Sequence, residues 1–170
     1  MKKRIIALGL LWCLSAVMLQ AARVDTVLVR SAAMNKDVKV VYVLPDKAIG
    51  KQACPVVYLL HGYGGNARSW VQLKPELPQM ADEKGIIFVC PDGKNSWYWD
   101  SPENPAYRYE TFVTSELVKY TDGNYATIPD RKARAISGLS MGGHGALWSA
   151  IRHKDVFGAA GSMSGGVDIR

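Results

Sequence analysis

Five consecutive residues, Gly138-Leu139-Ser140-Met141-Gly142, have the types and spacing to do covalent chemistry. A serine with a glycine two positions away on each side fits the nucleophile elbow, a tight strand-to-helix turn that lifts the hydroxyl above a sheet. Glycine is needed at both places because a Cβ there would strike the neighbouring strand or helix. The chemistry would be attack of the hydroxyl on an acyl carbon, through a covalent intermediate. With Gly and Ser each near ~7% of residues, three fixed positions arise by chance in roughly one chain in fifteen of this length. The flanks therefore carry the argument: Ala133–Ser137 reads as a short strand, and Gly142, Gly143, Gly145 and Ala146 let the following helix pack close to the sheet.

An acyl-transfer serine also needs backbone N–H donors facing the oxyanion, each worth roughly 3 kcal/mol. Met141, at the start of the helix, supplies one. The second is expected from the glycine-rich loop His61-Gly62-Tyr63-Gly64-Gly65, through Tyr63 N–H with Gly64 as the alternative. His61 reads as a structural side chain of that loop. The partners of the serine should follow it in the order acid, then histidine. No histidine follows Asp155 or Asp168, and Asp100 precedes the serine. His153 lies roughly 20 Å down a helix at ~1.5 Å per residue, and His144, one turn away, projects from the helix itself. The expectation is that the triad Asp and His are not in this chain, which would be the N-terminal portion of a longer enzyme.

Trp97, Tyr98 and Trp99 follow the C-terminal end of a strand, the side on which parallel sheets bind ligands. The three read either as an aromatic wall for a phenolic acyl group or sugar ring, with Trp97 and Trp99 as its substrate-binding members, or as a plug that pins a long loop. Asp100 could hydrogen-bond backbone there.

These residues need elements to hold them. Val27–Arg30 and Val38–Val43 are β-branched runs separated by Asn35-Lys36-Asp37, the pattern of an antiparallel hairpin. Val56–Leu60 and Ile86–Cys90 are apolar without a polar face, as in strands covered on both sides. Leu77, Met80 and Ala81 mark a short helix with Pro78 in its first turn and Gly85 past its end. Val113, Leu117 and Tyr120 mark another. Met141–His153 is a third helix and Phe157–Ser162 a last strand. Strands alternating with helices define an α/β fold with a mostly parallel sheet.

Composition narrows the class. At 170 residues, 48% hydrophobic and 21% charged, the chain is one globular domain. The formal charge of +6 includes Lys2, Lys3 and Arg4; without residues 1–22, which hold no acid, 18 basic residues face 15 acidic ones. That excess, with no basic cluster, gives no reason to expect a nucleic-acid partner. Lys2-Lys3-Arg4, the apolar run Ile5–Leu19 and the pair Ala21-Ala22 form the three parts of a signal peptide. The run is shorter than the ~20 residues needed to span a bilayer. The expectation is an exported protein, periplasmic or secreted, of domain 23–170 and without a stable membrane anchor. Cys54 and Cys90 fall about 17 Å apart if their strands are parallel neighbours at ~3.3 Å per residue, too far for a disulfide.

From Val56 through the elbow the sequence resembles the esterase branch of the α/β-hydrolases that holds esterase D-like enzymes, feruloyl and acetylxylan esterases and the mycolyltransferases. The residues carrying the likeness are Leu60–Gly65, Ser96–Pro102, Tyr109-Glu110-Thr111-Phe112, Glu116-Leu117 and Gly138–Leu147. The resemblance implies the α/β-hydrolase fold, helices on both faces of the sheet, and an oxyanion hole at Tyr63 and Met141. It implies hydrolysis of a carboxylic ester, small or polysaccharide-linked, with no metal or cofactor. An acyltransferase and a non-catalytic carbohydrate-binding relative are the alternatives.

Overall fold

The computed structural model describes residues 22–167. Of the expected leader, residues 1–22, all but Ala22 lie outside the described residues, as does Asp168. Six strands form one sheet in the order β1-β2-β4-β3-β5-β6. β1 (Arg23–Ser31) and β2 (Lys36–Leu44) make the antiparallel hairpin, and β2 pairs antiparallel with β4 (Ile87–Pro91). β3 (Val56–Leu60) lies parallel between β4 and β5 (Arg134–Leu139), and β6 (Ala159–Met163) extends the parallel half.

The apolar runs sit where helices cover both faces. On one face β2, β3 and β5 place Tyr42, Tyr58, Leu60 and Ile136 against Phe112, Leu117 and Met141. On the other, Val41, Leu59 and Phe88 pack against Trp70, Leu77 and Ala81. The latter come from two short helices, α2 (Ser69–Leu73) and α3 (Leu77–Lys84), which follow α1 (Asp46–Ile49) in the chain. α3 carries its proline in the first turn and stops at Gly85, whose φ of 63° closes the helix. Large side chains such as Leu117 and Ile136 each stabilise by roughly 1.5–3 kcal/mol when fully buried.

The first face is completed by α4 (Tyr109–Thr111), a π-helical turn at Phe112–Glu116 and α5 (Leu117–Asn124). Its periodicity showed only the part from Val113 onward, because the π-turn inserts an extra residue between two apolar stretches. α6 (Met141–Arg152) completes it beside β5.

Two details refine the sequence reading. The last strand begins at Ala159 rather than Phe157, because Phe157 is buried edge-on against Tyr58 and Gly158 N–H already bonds Arg134 C=O. Cys54 and Cys90 are free and buried. The register aligns Tyr58 with Val89, so the two thiols lie five residues apart along parallel neighbours, about 17 Å. Burial pushes the Cys90 thiol up to about 12.

Candidate active site

Ser140 stands at the C-terminal end of β5, at the first turn of α6, with φ 54° and ψ −116°. Only the surroundings hold a serine in such a conformation. A Cβ on Gly138 would overlap the Gly142 backbone, and one on Gly142 would overlap the Leu60 carbonyl. The two glycines therefore let α6 start directly against β3 and β5, and the serine, exposed, is what the turn presents. Ser140 N–H is fixed to Met163 C=O at 2.8 Å.

The loop after β3 reaches the same place. A Cβ built on Gly62 lies 3.6 Å from Ser140 Cβ. Gly64 N–H donates to Asn95 Oδ1 at 2.8 Å and Gly65 N–H to Gly62 C=O at 3.0 Å. Both later donors of the loop are thus occupied within the protein, whereas Tyr63 N–H carries no such bond. Its side chain points away, 66% exposed.

His61 is a structural side chain here. Its Nδ1 is 2.7 Å from Gly62 C=O, and its Nε2 accepts Gly93 N–H at 2.9 Å. This arrangement fixes a neutral ring protonated on Nδ1. Asp92 is nearby; burial alone would raise its pKa, but bonds from the Lys94 ammonium at 2.8 Å and the Lys94 N–H at 3.0 Å outweigh that and hold its carboxyl well below the usual range. Of the aromatic trio, Tyr98 is the plug: it is fully buried, its hydroxyl donates to His61 C=O at 3.2 Å and its ring fills the space over Gly93 and Gly145. One side chain thereby braces the glycine-rich loop against α6.

His144 is equally committed. Trp99 Nε1 donates to its Nε2 at 2.8 Å, and its Nδ1 faces Gly166 C=O at 2.7 Å. Trp97 and Trp99 meet its ring edge-on, each at 5.5 Å, and Trp148 stacks at 6.1 Å. Trp97 and Trp99 therefore clasp α6 and remain half-buried. The plug reading accounts for these contacts, while Trp99 also borders open space on its far side. Asp100 takes Thr111 N–H at 3.0 Å and its hydroxyl at 2.5 Å, starting α4. The third histidine, His153, bonds Glu110 at 2.8 Å beside Arg152 and Trp148. The chain has three histidines, and each has a structural partner.

Among the described residues no cluster of three or more His, Cys, Asp or Glu could hold a metal ion. A groove of about 990 Å³ lies between α5 and the C-terminal half of α6, lined by Trp99, Glu110, Val118, Arg134, Trp148 and His153, away from Ser140.

A strained serine between strand and helix, faced by a loop with a spare N–H, on a sheet of this order, defines an α/β-hydrolase architecture. The chain belongs to the esterase family described as "Putative esterase", whose model matches residues 31–170. An acetyl esterase of Caldicellulosiruptor saccharolyticus is 28% identical over 75% of this chain and 50% of its own length. A diacylglycerol acyltransferase/mycolyltransferase Ag85A of Mycobacterium gordonae is 34% identical over 85% of this chain and 43% of its own. A solved ferulic acid esterase superposes with a TM-score of 0.77 at 31% identity, covering 88% of this chain and 62% of that one. The chain spans about half, or less, of the length of the curated relatives it matches.

Proposed function

We propose that the protein is a serine carboxylic ester hydrolase with Ser140 as nucleophile. Ser140 Oγ attacks the ester carbonyl, and Tyr63 and Met141 N–H hold the tetrahedral oxyanion. The alcohol leaves, and water releases the acid from the acyl-enzyme. The observation that carries this reading is the exposed serine at φ 54° with Gly62 packed against it. All three histidines have partners elsewhere, so the base that takes the serine proton, and its acid, come from outside the described residues.

The acetyl esterase and ferulic acid esterase relatives support acetyl or feruloyl esters as substrates. The leader-like start at Lys2-Lys3-Arg4 supports export to the periplasm or beyond, where polysaccharide-linked esters occur. A fluorophosphonate should label Ser140 of the full-length protein, and Ser140→Ala should abolish both the label and p-nitrophenyl acetate turnover. A label on another residue, or unchanged turnover, overturns the proposal.

Acyl transfer to an alcohol is the second reading, favoured by the 34% identity with the mycolyltransferase. Adding a sugar alcohol to the turnover assay separates the two: transfer yields the new ester in place of free acid.

A further inference from the structure

Tyr63 N–H belongs to the peptide group that begins at the Gly62 carbonyl. In a planar trans peptide the two point in opposite directions, so the bonds that fix the carbonyl also aim the N–H. The chain itself gives little hold here. Gly62, Gly64 and Gly65 surround Tyr63, and glycine takes φ of either sign freely. Turning that peptide over would set a carbonyl oxygen where the proposed mechanism needs a donor.

The hold comes from bonds, and most of them start on one segment. Gly62 C=O accepts Gly65 N–H at 3.0 Å and lies 2.7 Å from His61 Nδ1. From the loop that leaves β4, Gly93 N–H donates to His61 Nε2 at 2.9 Å and the Tyr98 hydroxyl to His61 C=O at 3.2 Å. Asn95 Oδ1, on the same loop, accepts Gly64 N–H at 2.8 Å. Tyr98 therefore holds the peptide group just before the one that carries Tyr63 N–H, and Asn95 holds the one just after it.

This grip is built at a cost. Lys94, Trp97 and Tyr98 stand at φ 50°, 56° and 60°, and such strain persists where the surroundings over-determine it, typically at active sites and clamps. Tyr98 is fully buried, and a Cβ on Gly93 or Gly145 would overlap its ring, so the ring is wedged between the loop and α6, the helix that Ser140 starts. Burial also pushes the Tyr98 hydroxyl far up, which keeps it a donor. We propose that Tyr98 and Asn95 are positioning residues: by fixing the peptide groups on either side, they keep the middle one turned with its N–H toward the oxyanion at Ser140. This rests on the reading of Ser140 as the ester-attacking serine.

The test uses the full-length protein. Tyr98→Phe keeps the ring and removes the hydroxyl; Asn95→Ala removes the second hold at an exposed position, where the fold is not at stake. Each should lower kcat for p-nitrophenyl acetate and the rate of fluorophosphonate labelling by about fivefold, the loss of one hydrogen bond, with KM unchanged. Tyr42→Phe is the control: it removes a buried hydroxyl bond of 2.9 Å to Thr121 Oγ1 on the β2 side of the core. It should lower the melting temperature and leave both rates as they were. Wild-type rates in Tyr98→Phe or Asn95→Ala, or an equal loss in Tyr42→Phe, overturn the positioning role while labelled Ser140 stands. A wild-type protein that is not labelled at Ser140 overturns the serine reading and the positioning role with it.

Discussion

Ser140 carries the most strained backbone of the proposed site, and the strain is measurable. A non-glycine residue at φ 54°, ψ −116° costs about 1–3 kcal/mol, whereas glycine adopts it freely and loses about 0.5–1 kcal/mol more chain entropy on folding. Ser140→Gly is therefore expected to stabilise the fold by about 1 kcal/mol, a rise of a few degrees in Tm, while eliminating fluorophosphonate labelling. A melting point at or below wild type would show the elbow to be relaxed. Cys90, its thiol pushed up to about 12 by burial, is almost entirely unionised near neutral pH. Neither Cys54 nor Cys90 should react with Ellman's reagent in the native state, and both should react in urea. The turn at Ser140 could be read from sequence because a strand-like run precedes the two glycines and small residues follow them, which is the setting of a strand-to-helix turn. The task of His144 could not: its partners, Trp99 and Gly166, are 45 and 22 residues away.

Between elements the decisive contact is Glu110. It starts the α4–α5 segment and, though buried, accepts from Trp148, Arg152 and His153 at the far end of α6. Burial alone would raise its pKa, but the bonds from Arg152, Trp148 and His153 outweigh it and hold the carboxyl below its usual value. A carboxylate depressed in this way stabilises the fold above the unfolded-state pKa near 4.3. That contribution is lost as pH falls through the folded value. Glu110→Gln should cost about 2 kcal/mol at pH 7 by urea unfolding, and the difference from wild type should shrink as pH falls from about 4.3 through the lower folded value. An unchanged difference at pH 3 would show that packing, not charge, holds α6. The strands and longer helices were legible from the first hairpin onward, since β-branched and apolar runs and glycine stops report burial directly. α2 was not: its five residues are too few to show a period, and only Trp70 is buried.

At the scale of the whole molecule, the start of the described chain bears on processing. Ala22 is buried, and its N–H donates to Asp82 Oδ2 at 2.6 Å, while Asp82 Oδ1 accepts Asp46 N–H at 2.8 Å. Removal of the proposed leader after Ala21 would turn that amide into an ammonium facing a carboxylate, a stronger charge-assisted bond. Cleavage after Ala22 would discard the contact. N-terminal sequencing from an exporting host should therefore begin at Ala22, and a read from Met1 would refute the leader. The sheet order was readable only as far as alternation goes. That β3 lies between β4 and β5, bringing Gly62 beside Ser140, comes from long-range pairing such as Leu60 with Gly138, which no local pattern encodes.

Position 63 gives the backbone N–H to the proposed chemistry and the side chain to solvent, 66% exposed. What is needed there is a peptide group, which every residue but proline supplies. Mutation can therefore exchange the side chain that a substrate would meet first while the donor stays in place. Across descendants of this sequence, substrate preference is free to drift at position 63, whereas the glycine before it, pressed against Ser140, is held fixed.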